Sequence, residues 1–164
     1  MSAKELTVTA LLGVLLLAVQ VALNFLPNIE LVSLLLILYA LCFPLRQALM
    51  ACWVFALLEG LLYGFGLWWI MYLYIWPLLV LLARPMRAQP SLFWAAVLSG
   101  GFGLSFGALC AIPYALTGGL SYGIGWWISG IPFDIAHCAG NVAAALALFR
   151  PLLRLFQRLA KIAD

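Results

Sequence analysis

Charge is what this chain has least of. Asp, Glu, Lys and Arg supply 8% of its 164 residues, against roughly 25% in an ordinary soluble domain. So few charges cannot cover a surface that faces water, which excludes a water-soluble fold. Acidic groups number only five and histidine one, so a metal centre or a histidine-based catalytic cluster has little to be built from. The four cysteines, Cys42, Cys52, Cys110 and Cys138, lie inside apolar segments without CxxC spacing, and read as small packing residues rather than disulfides or zinc ligands. There is no Walker-type glycine loop and no basic-aromatic surface, so neither nucleotide hydrolysis nor nucleic-acid binding is expected.

What the chain has in abundance is apolar side chains, 68% of the total. Residues 6–29, 60–83 and 88–133 are uncharged, each long enough to cross a ~30 Å hydrocarbon core, which takes ~20 residues. In lipid a backbone must satisfy its own polar groups. These runs lack the in/out alternation of a barrel, so the fold class is all-α. Polar punctuation predicts six transmembrane helices in a single membrane domain, 1–164, at about 6–25, 29–44, 47–65, 68–83, 91–112 and 132–149. The first apolar run is longer than a signal-peptide core and has no convincing cleavage site before Asn24, so it is expected to be a retained span. The connection 113–130 is apolar and Gly-rich, and is expected to fold back as a lid over a cavity on the outer side.

Basic residues near span ends stay cytoplasmic. With the N-terminus inside, Lys4, Arg46, Arg84, Arg87, Arg150, Arg154, Arg158 and Lys161 all fall on inner segments, which accounts for all eight. Both termini are therefore expected in the cytoplasm. The tail 150–164 aligns its four basic residues on one helical face, as an interfacial anchor to the lipid bilayer does.

Intramembrane polar groups are costly and normally face a cavity or each other. Here they gather in the outer half. Gln20 and Asn24 share a face of the first span, and Asn28, Glu30 and Ser33 open the second. Glu59 sits about 12 residues, or ~18 Å, up the third, too deep to snorkel easily. The sixth span begins with Pro132 at a first-turn position and continues with Asp134, His137 and Asn141 as one polar stripe. Trp68, Trp69, Trp126 and Trp127 flank outer loops, with Tyr63, Tyr72 and Tyr122 nearby. Aromatic faces beside carboxylates suit a flat heterocycle or a cation. For each residue alone an interfacial belt, helix cap or interhelical hydrogen bond explains it as well.

Three segments carry a family resemblance: Leu26-Pro27-Asn28-Ile29-Glu30-Leu31-Val32-Ser33, Leu57-Leu58-Glu59-Gly60-Leu61-Leu62-Tyr63-Gly64, and Gly130-Ile131-Pro132-Phe133-Asp134-Ile135-Ala136-His137-Cys138-Ala139-Gly140-Asn141. Together they resemble the substrate-binding S components of energy-coupling factor (ECF) transporters, over essentially the whole chain. The resemblance implies a six-helix protein of the bacterial cytoplasmic membrane that is not an enzyme. It implies capture of a vitamin or related planar, nitrogen-rich micronutrient, delivered by association with a T component and two ATPase subunits, without a cofactor. Carried onto this sequence, the site would be lined or gated by Asn28, Glu30, Glu59, Tyr63, Trp68, Trp126, Trp127, Asp134, His137 and Asn141. The family's small-residue docking pattern on the first span is matched only by Thr9 with Gly13 and Ala18 with Ala22. Two other classes compete. The rod-shape-determining membrane subunit of the elongation machinery has a similar size and layout, and would be a scaffold. A membrane enzyme would use Asp134 and His137 as a base pair or metal ligands, but the chain offers neither a second histidine nor a nucleophile motif.

Overall fold

Apolar residues distributed all round a helix leave it no polar face, so such a helix belongs either in lipid or inside protein. Both solutions occur here. The computed structural model describes residues 1–163. It orders six α-helices, α1 (Ala3–Leu23), α2 (Val32–Cys42), α3 (Leu45–Tyr63), α4 (Leu67–Ala83), α5 (Leu92–Gly118) and α6 (Leu120–Ala163), with a 3-10 turn at Arg84–Arg87. There is no strand among the described residues. Five of the helices are long and apolar enough to cross a membrane, and the chain is a polytopic helical membrane protein.

The exception is α2. A span over 29–44 is expected, but only 11 residues are helical, about 16 Å at 1.5 Å per residue and half a bilayer core. Every residue from Val32 to Leu41 is buried, so α2 is a post inside the bundle rather than a lipid-facing span. Non-helical backbone is tolerated at membrane depth where protein or a cavity surrounds it. That is the situation of residues 24–31, which line a cavity above α2. There Asn28 adopts φ 58°, a left-handed conformation that asparagine enters more readily than most residues.

The expectation of an outer connection over 113–130 is also corrected. Helix α5 runs through Pro113 to Gly118, and α6 starts at Leu120. The glycines serve close packing, not a loop. Gly119, at φ 89°, makes the left-handed stop that reverses the chain, and a methyl group on Gly123 would lie 2.5 Å from the Ala115 side chain. Further along, Gly100, Gly103 and Gly107 of α5 meet Val142, His137 and Cys138, and Asp134 of α6, the close approach that small residues permit. The tail does not detach at 150; α6 continues as helix with Arg150, Arg154, Arg158 and Lys161 exposed and Phe156 buried.

Prolines within apolar helices leave the carbonyl four residues back without its donor, and neighbouring helices supply replacements. At the break between α2 and α3, which Pro44 caps, the helix-end carbonyl Ala40 O accepts from Arg84 Nη1 at 2.9 Å. Pro77 frees Leu73 O, which accepts from Trp53 Nε1 at 3.2 Å. Pro113 frees Leu109 O, which accepts from Tyr74 Oη at 2.6 Å. Each substitution ties two helices at a point where a lipid-facing carbonyl would be left unsatisfied.

The bundle thus has two unlike ends. At one, Arg84 and Arg87 both donate to Phe43 O, and Tyr39, Phe43 and Phe156 pack edge to face. Lys4 and Ile162 share a groove here, so the first and last helical turns lie together. The other end carries the polar residues.

Candidate functional site

Two adjoining cavities occupy the polar end. The first, about 190 Å³, is lined by the 24–30 segment together with Gln20, Tyr72, Trp76, Phe106 and His137. The second, about 450 Å³, is lined by Trp68, Met71, Tyr72, Phe106, Gly107, Cys110, Trp126, Ser129, Gly130, Phe133 and Asp134. Asn28, Tyr72 and Phe106 line both, so these side chains are the wall between two compartments of one polar chamber. Their combined size falls within the range of small-molecule sites, ~300–1,000 Å³.

Across the first cavity, His137 Nε2 lies 3.1 Å from Glu30 Oε1. The pair joins the 24–31 segment to α6. Glu30 Oε2 also accepts from Ser33 N at 2.8 Å, a contact to one of the free N–H groups at the start of α2. Phe106 packs edge-on against the imidazole, 4.9 Å between centroids. Asp134 sits one turn before His137 on the same face of α6. Its Oδ1 accepts from Gly107 N at 2.8 Å, and the carboxyl lies in hydrogen-bonding reach of the Trp127 side chain, two turns earlier on α6. Glycine at 107 makes room for this carboxylate, since a methyl group there would stand 2.5 Å from Oδ2.

Six of the ten residues picked out from the sequence therefore come together: Asn28, Glu30, Trp68, Trp126, Asp134 and His137 line one or other cavity. Four do not. Glu59 is 2% exposed and its Oε1 has no partner among the described residues, but it lines neither cavity. Its inward position on α3 was legible, its lateral offset was not. Tyr63 is half-exposed and accepts from Asn24 Nδ2 at 2.8 Å, tying the ends of α1 and α3. Trp127 follows Trp126 by the ~100° turn of one helical residue; it borders an outer groove between α5 and α6 and reaches the Asp134 carboxyl from outside the cavity. Asn141 is buried and exchanges hydrogen bonds with Ser99, Nδ2 to Ser99 O at 3.2 Å and Ser99 Oγ to Asn141 O at 3.4 Å. It is an interhelical lock.

Sequence reasoning left out Gln20, Asn24, Tyr72, Trp76 and Phe106, which also line the first cavity. Gln20 and Asn24 had signalled themselves as a polar pair. Tyr72, Trp76 and Phe106 stand in continuous apolar runs, where an aromatic residue facing a cavity is written the same way as one facing lipid. Here Trp68, Tyr72 and Trp76 make a chain of edge-to-face contacts at 5.5 and 5.4 Å, and Trp126 stacks on Tyr114 at 4.6 Å. Gln20 Nε2 donates to Tyr72 Oη at 3.2 Å, holding the shared wall. No group of His, Cys, Asp and Glu among the described residues is placed to hold a metal ion.

Comparison with protein-family models, with curated proteins and with solved structures finds no match to this chain. The chamber itself offers two carboxylates, one imidazole, three amide side chains and an aromatic wall within a membrane bundle.

Proposed function

We propose that the chain is the solute-capturing subunit of an ATP-driven importer of the ECF type, set in a bacterial cytoplasmic membrane with both termini in the cytoplasm. The observation that carries this reading is the chamber at the end opposite the eight basic residues, where Glu30, His137, Asp134, Trp68 and Trp126 converge on one space. By the positive-inside rule that end faces outward. The chain has no nucleotide-binding loop of its own, so uphill movement requires partners; the T component and two ATPase subunits of the resemblance fill that role. The cargo would be a vitamin-like micronutrient bound without turnover.

The test is native mass spectrometry of the full chain purified in detergent without added solute. A small molecule released on collisional activation, and lost from Asp134→Ala, supports capture. A chain that emerges bare after expression in rich medium, and that gains no mass from a vitamin mixture at micromolar concentration, refutes it.

A further inference from the structure

The basic end holds a hollow of a different kind, a groove of about 340 Å³ between α1 and α6. Its floor is Leu12, Phe43 and Phe156, all buried. Its rims are exposed: Leu11 and Leu15 on α1, Leu159 and Ile162 on α6. From Lys4 to Leu15 the groove follows α1 for ~16 Å at 1.5 Å per residue, about half of a ~30 Å hydrocarbon core. It is therefore one leaflet long, and it runs along a helix that crosses the membrane.

Polar character is confined to one end of this groove. Lys4 is the one polar side chain in the lining, and it stands where the first turn of α1 meets the last turns of α6. Arg158 and Lys161, both exposed, immediately precede the rim residues Leu159 and Ile162, so their long side chains can swing to the same end. Glu5, the acid next to Lys4, is turned instead to the start of α1. Its Oε2 accepts from Ser2 N at 2.6 Å and lies 4.0 Å from the Met1 amino group. The head of the groove is thus cationic and the rest of it apolar.

We propose that this groove binds one anionic phospholipid from the leaflet at the basic end. An acyl chain lies along the floor between the rims, and the phosphate meets Lys4, Arg158 and Lys161. Length and charge both fit: the slot is as deep as one leaflet, and its cations stand where an anionic headgroup stands. A partner helix, 10–12 Å across, would cap the rims without filling the slot, and water would find no polar partners on its floor. The site holds whether or not the chamber at the other end captures a solute.

Native mass spectrometry of the full chain in detergent tests this, with three lipids of identical acyl chains titrated separately: dioleoyl phosphatidylglycerol, dioleoyl phosphatidylcholine and dioleoylglycerol. The expected result is a phosphatidylglycerol adduct that saturates at one per chain, with phosphatidylcholine at least fivefold weaker and dioleoylglycerol weaker still. Lys4→Gln should weaken phosphatidylglycerol about fivefold, as removal of one cation near a membrane surface does. Leu11→Trp enlarges an exposed rim residue and should abolish the one-per-chain adduct by filling the groove. Arg46→Gln, which removes an exposed basic residue outside the groove, should change nothing. Equal affinity for phosphatidylcholine, an Arg46→Gln loss as large as that of Lys4→Gln, or adducts that never saturate and ignore Leu11→Trp would overturn the proposal. A lipid-free dimer that Leu11→Trp dissociates, with no preference among the lipids, would overturn it in favour of a second copy of the chain. The order of the three lipids on the unmodified chain decides the matter even if a variant fails to fold.

Discussion

The two ends of the bundle differ in what lines their hollows: at the basic end a groove is lined by apolar side chains and Lys4 alone, at the other the cavity walls carry carboxyls, an imidazole and amides. At the basic end Ala40 O and Phe43 O receive guanidinium donors from Arg84 and Arg87, and the aromatic trio of Tyr39, Phe43 and Phe156 fills the space between helices. At the other end Glu30, Asp134 and His137, with Gln20, Asn24 and Asn28, stand on the walls of two cavities. Buried polar atoms without partners occur at both ends, Gln47 Oε1 among them, so it is the gathering of ionisable groups that sets the polar end apart. Ionisable side chains on cavity walls inside an apolar bundle are a local departure from consistency of the kind that marks functional sites.

Substitutions can break or sharpen this contrast, beginning with the largest effect. Asp134→Ala should lower solute affinity by more than tenfold while changing the melting temperature of the solute-free chain little, because the desolvation of a buried carboxyl offsets most of what its hydrogen bonds contribute; titration calorimetry and a melt in the same detergent separate the two readouts. Gly103→Val should cost about 2–3 kcal/mol or prevent folding, since a first side-chain carbon there already lies 2.9 Å from the backbone of His137 and Cys138, to be seen as a lower melting temperature. Arg84→Ala strands Ala40 O and should cost about 1–3 kcal/mol, with solute affinity unchanged because the cavities lie at the far end. Tyr74→Phe, which frees Leu109 O, should cost about 1 kcal/mol. The smallest effect is expected of Glu59→Gln: solute affinity within about twofold of the unmodified chain, since Glu59 lines neither cavity. A loss matching that of Asp134→Ala would place Glu59 in the site and redraw its boundary.

The comparison also explains what could be read beforehand. Helix number and the gathering of basic residues at one end follow from hydropathy and charge, which act over twenty residues at a time and tolerate errors of a turn. That Asn28, Glu30, Asp134 and His137 face cavities was legible because ionisable or amide groups have few other reasons to stand in lipid. Other features depended on which way a side chain faces. Asn141 lies on the same stripe as His137, yet Ser99 opposite it turns it into a lock. Trp126 and Trp127 are neighbours in sequence and face different spaces. Glycine misled for a related reason: Gly119 does reverse the chain, but Gly123 marks helix contact, and composition alone scores both as loop.

The brevity of α2 has a mechanical side. Because Val32 to Leu41 are enclosed by protein, this helix never meets the bilayer, and only the surrounding helices feel its thickness. A thicker or thinner membrane tilts or strains those outer helices while the inner post keeps its length. The mismatch must then be taken up above the post, in the stretch from Asn24 to Leu31 that roofs the smaller cavity. Lipid chain length is thereby a variable to which the mouth of this protein is exposed and its core is not.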